Sequence, residues 1–262
     1  MDQHLMDLGH FASRERAQAA IMAGLVKVNE QVVTKAGQPV SPEAVIQVLG
    51  EAHPFVSRGG LKLARALDVF DVSPAGRWVL DAGASTGGFT DLCLQRGATH
   101  VYAVDVGYGQ LAWSLRQDSR VTVMERTNVR NLGPENFPMP PSLIVADLSF
   151  ISLAKVMHPL SLILGPDGEV ITLIKPQFEV GKGQTEGGVV RNKAAQERVL
   201  ADVTRAAELV GWGLINLAHS PIKGPEGNIE FLAHWRPHAL SSSLNFLAVV
   251  ERAHLELSDN RK

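Results

Sequence analysis

The stretch Trp78-Val79-Leu80-Asp81, running into Ala82-Gly83-Ala84-Ser85-Thr86-Gly87-Gly88-Phe89-Thr90, narrows the fold more than any other part of this chain. An apolar strand, a glycine-rich turn and a fresh helical pattern make the corner at the carboxyl end of a parallel strand, where open α/β sheets bind ligands. The alternation then repeats. Apolar strands are expected at 78–82, 101–105, 121–124, 143–147 and 169–174, with helical patterns at 88–96, 109–116 and 152–164. Parallel strands need a crossover, and a helix supplies it, so this order predicts a doubly wound, Rossmann-like α/β domain. The last third departs from that rhythm. A helix over 192–210 precedes strands at about 213–219 and 229–235, joined by a Gly/Pro-rich loop. Strands that close in sequence pair antiparallel.

Residues 1–52 read as a separate small α+β unit. Ser13 is the expected N-cap of a helix through Met22, and Gly24 its stop. Short strands follow at 25–29 and 31–33 around a turn at Asn29-Glu30, and at 44–49. His53-Pro54-Phe55-Val56 reads as a linker, since Pro54 forces its predecessor into an extended conformation. A helix from Leu61 to Phe70 opens the larger domain, 57–262.

The turn after Asp81 offers a ligand-binding constellation. Asp81, Gly83, Ser85, Thr86, Gly87, Gly88 and Phe89 line the corner, where glycines admit close approach and a helix N-terminus presents free N–H groups. Asp105 ends the next strand, where a carboxylate can accept both hydroxyls of a ribose. Asn128, after the strand 121–124, can face an adenine edge. The spacing is neither G-x-G-x-x-G nor a phosphate loop, and it suits a nucleoside with a charged amino-acid tail. By spacing alone S-adenosylmethionine and NAD both remain open, and any single glycine is as well explained by a tight turn.

Four more charged residues stand where apolar segments end: Lys62, Asp147, Lys175 and Glu230, the last within the final strand pattern. With Val56 to Leu63, Asp81 to Thr90, Asp147 to Ser152, Ile174 to Glu179, Gly187 to Arg191 and Ser220 to Phe231, they carry a resemblance. The chain resembles the FtsJ-type 2′-O-ribose methyltransferases, and over nearly its whole length the TlyA-type subfamily often labelled hemolysins. The resemblance implies an S4-like RNA-binding domain, a methyltransferase domain using S-adenosylmethionine, and cytidine of 16S or 23S ribosomal RNA as substrate. It makes Lys62, Asp147, Lys175 and Glu230 the catalytic tetrad, with Asp147 also beside the cofactor. A ribose hydroxyl must lose its proton as the methyl arrives, and a neutral lysine can take it. Lys175 is expected in that role. Lys62 holds the hydroxyl and a nearby phosphate, while Asp147 and Glu230 orient the lysines. Members usually begin with an Arg-Leu-Asp stretch, which Met1-Asp2-Gln3-His4-Leu5 abbreviates here, and this points to the narrower range of ribosomal sites.

Recognition of RNA requires cations, and the candidates are Arg14, Arg16, Lys27, Arg58, Lys182 and Lys223. The net charge of −2 does not announce a nucleic-acid binder, so any basic face has to come from folding. One cysteine, Cys93, rules out an intrachain disulfide and suits a reducing cytoplasm. The nine histidines show no metal-ligand spacing, so no metal is expected. No apolar run reaches the ~20 residues of a membrane span, which argues against a pore-forming hemolysin. The expected partners are ribosomal RNA or ribosomal subunits, and the expected state is a cytoplasmic monomer. A small-molecule methyltransferase, and an RNA-binding protein with a vestigial pocket, are the competing readings.

Overall fold

A computed structural model describes residues 1–11, 14–22, 24–41, 44–48, 54–181 and 183–258, with the backbone alone at 15, 16 and 19. The Ser13 cap, the Arg16 side chain, Lys182 and the first linker residue, His53, therefore lie outside the described residues.

The N-terminal unit packs α1 (Asp2–Asp7) and α2 (Arg14–Met22) on a three-stranded antiparallel sheet. The central strand β1 (Val26–Val28) pairs with β2 (Gln31–Val33) on one side and β3 (Ile46–Val48) on the other. Leu5, Ala17, Ile21, Val26 and Val33 form its core. Asn29 and Glu30 both take positive φ, 48° and 66°, as a tight hairpin turn requires. The start of the chain, met in the sequence only as an abbreviated stretch, is helical. Buried Asp2 fastens α1 to α2, accepting hydrogen bonds from Gln18 Nε2 at 2.5 Å and Arg14 Nε at 2.7 Å. Those bonds, the Gln18 one foremost, hold its carboxyl far below the usual range.

The larger domain is built on a seven-stranded sheet. In chain order its strands are β4 (Trp78–Ala82), β5 (His100–Val104), β6 (Val121–Met124), β7 (Leu143–Ala146), β8 (Glu169–Ile174), β9 (Trp212–His219) and β10 (Phe231–Pro237). Their spatial order is β6-β5-β4-β7-β8-β10-β9. The first five run parallel, and β10 inserts antiparallel between β8 and β9. Both faces are covered, so alternate residues feed two cores. Leu80, Tyr102, Ile144 and Val170 face one core, which includes α6 (Ala154–Ile163), α8 (Lys193–Glu208) and α9 (Phe246–Ser258). Val79, Val101, Val145 and Ile171 face the other, with α3 (Gly59–Phe70) and α4 (Gly88–Gln95).

The segment read as a linker is packed at its end: Phe55 is 8% exposed within the second core, and Val56 N–H donates to Asp91 at 2.8 Å. Burying an aromatic ring outweighs what an extended proline segment implies about solvent. The helical pattern over 109–116 is realised only as α5 (Trp113–Gln117). Its first part is instead held as a loop, with Gln110 N–H donating to Glu125 at 3.2 Å.

Candidate active site

Parallel strands deliver their carboxyl ends to one edge of the sheet. Here that edge gathers Asp81 in β4, Asp105 after β5, Asp147 after β7 and Lys175 after β8. Glu230 reaches the same edge by the opposite route. Since β10 is antiparallel to β8, with Phe231 facing Ile174, the residue before β10 falls beside the end of β8. Lys62 comes from the first turns of α3, whose Leu63, Ala66, Leu67 and Phe70 are buried against the sheet.

The tetrad is a continuous chain of charges. Lys62 Nζ is 2.6 Å from Glu230 Oε2 and 3.9 Å from Asp147 Oδ2. Asp147 Oδ1 is 2.6 Å from Lys175 Nζ, which also donates to Ser149 Oγ at 2.9 Å. Asp147 thus stands between the two lysines, and Glu230 holds the outer side of Lys62. Relative exposure is 7% for Lys62, 8% for Lys175 and 1% for Glu230, so these are desolvated pairs rather than surface ones. Glu230 is no solvated strand-edge residue. Burial raises its carboxyl above the usual range, opposed by Lys62. Gly224 is the glycine this demands, because a Cβ there would lie 2.7 Å from Glu230 Oε1.

The glycine-rich corner is more diverse than its pattern implied. Gly83, at φ +87°, lets the turn pass the Asp147 carbonyl, which a Cβ would approach to 2.7 Å. Gly87 and Gly88 instead make room for protein: Leu111 and Leu115 beside the first, Ser57 and the Gly60 backbone beside the second. The ring of Phe89 is 4% exposed in the core, so only its backbone is available to a ligand. Ser85 is exposed and Thr86 half-buried. Asp105 receives the N–H of Ser85 at 2.8 Å and of Gly107 at 2.6 Å, one on each oxygen, which fixes the carboxylate at the rim. Asn128 caps a short 3₁₀ turn by accepting from Arg130 N–H at 3.1 Å, so its Oδ1 is engaged locally. Asp81 is fully buried. Its Oδ2 accepts from Thr90 Oγ1 at 2.7 Å, while Oδ1 has no partner among the described residues. Burial pushes this carboxyl up to about 7 against the opposing Thr90 bond, and the Asp147 charge adds to the rise.

The candidate RNA contacts are scattered by comparison. Arg14 is spent partly on Asp2, at 2.7 Å. Lys27 is half-buried on the central strand of the small sheet, Arg58 is exposed at the start of α3, and Lys223 is half-buried next to Gly224. Several participants were missed by sequence reasoning. Ser149 touches Lys175, and Thr90 touches Asp81. Asn228 clamps two loops of the rim, accepting from Val190 N–H at 3.0 Å and donating to Gly188 O at 2.9 Å. Phe150 is 90% exposed at a positive φ of 62°, with its ring 5.1 Å from that of Phe178. All four lie inside the motifs already singled out, but hydroxyls, amides and aromatics carry no signal until a neighbour is known. Among the described residues no His/Cys/Asp/Glu cluster could hold a metal, and no helix is long and apolar enough to cross a membrane.

A ligand-binding corner on a doubly wound sheet, completed by a buried lysine–carboxylate chain, defines an α/β group-transfer enzyme. The comparisons with known proteins make that specific. Residues 55–236 match the FtsJ-like methyltransferase family, and residues 5–46 match the S4 domain. The chain is 44% identical to the 16S/23S rRNA (cytidine-2′-O)-methyltransferase TlyA of Mycobacterium tuberculosis, over 99% of this chain and 97% of that protein. It is 42% identical to Bacillus subtilis YqxC, described as an rRNA methyltransferase, over 100% of this chain and 96% of that one. A solved structure described as a hemolysin from Streptococcus thermophilus superposes with a TM-score of 0.81 at 43% identity, covering 99% of this chain and 96% of that one. The chain belongs to the FtsJ-like methyltransferase family and, within it, to the TlyA type; it is a methyltransferase.

Proposed function

We propose that the protein transfers a methyl group from S-adenosylmethionine to the 2′-hydroxyl of a cytidine in ribosomal RNA. The observation that carries this reading is the buried Lys62–Glu230 and Asp147–Lys175 chain, standing beside the Asp81–Thr90 corner. The identity to TlyA supports the substrate class. Residues 1–52 serve as the S4-like RNA-binding unit and 57–262 as the methyltransferase. The enzyme works in the cytoplasm, as a monomer, on ribosomal subunits.

The residues present fit the cofactor. Asp105 keeps a lone pair on each oxygen for ribose hydroxyls after accepting its two backbone N–H groups. The orphaned Asp81 Oδ1 gains a partner from a cationic amino-acid tail in the adjoining turn. When bound, S-adenosylmethionine supplies an electrophilic methyl group. The rest is done by the chain. Lys175 takes the hydroxyl proton, Lys62 holds the acceptor oxygen and a neighbouring phosphate, and Asp147 and Glu230 keep both amines in place. Much of the rate comes from orientation. Phe150 offers its exposed face to the base of the acceptor nucleotide, since RNA bases stack on aromatic rings. Arg14, Arg16, Lys27, Arg58, Lys182 and Lys223 track phosphates.

The test is incorporation of labelled methyl from S-adenosylmethionine into unmodified ribosomal subunits, with wild type and Lys175→Ala side by side. Incorporation mapped to a 2′-oxygen, and lost in the variant, is the expected result. No incorporation by wild type into either subunit or naked RNA sinks the reading.

A further inference from the structure

Lys175 presents a problem that its role as base creates. The residue is 8% exposed, and the amine lies 2.6 Å from Asp147 Oδ1 and 2.9 Å from Ser149 Oγ, with the Phe178 ring 5.9 Å from Nζ. Across Asp147 stand Lys62 and Glu230. A base this enclosed has to shed the proton it receives before the next turnover. A carboxylate held between two ammonium groups is a poor exit, because protonating it would leave both lysines without their shared counter-charge. Ser149 is different. Its residue is exposed, so one side of the hydroxyl meets the amine and the other meets solvent. A hydroxyl also suits both states of the lysine: it accepts from an ammonium and donates to an amine.

The loop that carries Ser149 is built to stay in place. Glu179, on the short helix α7 (Pro176–Glu179) that follows Lys175, accepts the Leu153 N–H at 2.9 Å, and Phe150 holds a left-handed φ of 62°. Nothing in composition or charge pattern marks Ser149. Its place against the amine does.

We propose that Ser149 is the proton relay between Lys175 and solvent, and the positioning partner of that amine in both protonation states. This rests on the function proposed above. As the 2′-oxygen uses its O–H electron pair to bond the methyl carbon, its proton passes to the lone pair of Lys175 Nζ. The ammonium then gives a proton to Ser149 Oγ while the Ser149 hydroxyl proton leaves to a water. Amine and hydroxyl are thereby restored, and the water carries the proton away.

Ser149→Ala, Ser149→Thr and wild type separate this from a packing role. In cofactor-free protein, the exchange of Lys175 Nζ protons with water is followed by NMR. With subunits and cofactor saturating, kcat is measured beside KM for each substrate. Expected for Ser149→Ala are exchange slowed about tenfold and kcat reduced about ten- to hundredfold, with KM values within about twofold. Ser149→Thr restores both. Wild-type exchange and kcat in Ser149→Ala overturn the relay, as does a Thr variant as slow as Ala. If wild type transfers no methyl group, the proposed function fails by itself, and the exchange arm still decides whether Ser149 connects Lys175 to water.

Discussion

The sheet carries a buried charge cluster at each end, and the two are built to opposite purposes. At the foot, Glu169 opens β8 and is 6% exposed. It meets Arg77 at 2.6 Å, Arg236 at 2.5 Å and His234 Nε2 at 3.2 Å. Burial pushes its carboxyl up, but the hydrogen bonds from Arg236 and Arg77 outweigh that and leave it below the usual range. Around it Arg77, Pro166, Asp167, Gly168 and Pro237 line a shallow cavity of about 370 Å³. At the other end, Glu230 faces one lysine and is raised by burial. Guanidiniums keep their charge at all working pH values, whereas an amine can lose it. The foot therefore ties the start of β4 to β8 and β10 through two arginines whose own charge does not titrate away. The opposite edge uses lysines, which can change state, and its Glu230 carboxyl is raised by burial despite Lys62.

Removing a lysine and removing the foot carboxylate should separate chemistry from stability. Lys175→Ala is expected to cut methyl transfer per folded molecule by roughly 10²–10⁴-fold, with some loss of melting temperature because Asp147 is left without its near partner. A variant of near wild-type activity would show that positioning alone drives the reaction. Glu169→Ala removes the buried acceptor shared by half-buried Arg77, exposed Arg236 and buried His234, and should cost about 1–3 kcal/mol of stability in denaturant unfolding. The specific activity of its folded fraction should not change. Loss of activity without loss of stability would end the contrast between the two ends. Because the Glu169 carboxyl is depressed in the folded protein, its contribution is present above the unfolded carboxylate range. It is lost as pH falls through the folded value, so Glu169→Gln and wild type should converge in acid.

Asp81 sharpens the comparison from the other direction. With its carboxyl at about 7 in the fold and 3.8 as the ordinary value, the folded state holds a proton that the unfolded chain releases. Wild-type stability should fall as pH rises through that window, and Asp81→Asn should flatten the fall by several degrees of melting temperature. Parallel pH profiles of the two would contradict the buried, half-satisfied carboxylate. The smallest effect belongs to Phe150→Ala. Losing one stacking face should weaken RNA binding by about 1 kcal/mol, roughly fivefold, with calorimetric affinity for S-adenosylmethionine unchanged. A weaker cofactor and unchanged RNA would move Phe150 from the acceptor side to the cofactor side.

Much of the larger domain was legible because hydrophobic period and turn chemistry are local. The strands at 78–82, 121–124 and 169–174 fall where their apolar runs stand, and the Gly24 stop and the Asn29-Glu30 turn hold. Lys62, Asp147, Lys175 and Glu230, which the structure brings together, stood out in the sequence as charged residues in or beside apolar segments. Less was legible where partners decide. The helices at Asp2–Asp7 and Phe246–Ser258 were not foreseen: the first is fastened by Arg14 and Gln18 on α2, and the second packs Val250, Ala253 and Leu257 into the core. The Phe89 ring, and the space a side chain at Gly88 would need, are taken up by packing against protein, which the glycine-rich pattern did not foretell.

By itself, the sequence determined most of the strands and several of the helices, where the glycine-rich corner lies, and which charged side chains are available to it. Only the tertiary structure decided that β10 enters antiparallel beside β8, which carries Glu230 to the same edge as Lys175. It alone placed Ser149 against that amine. The physical reason is the same in both cases. Strand order, and the meeting of side chains far apart in the chain, come from packing many elements at once, and no short window of residues encodes that.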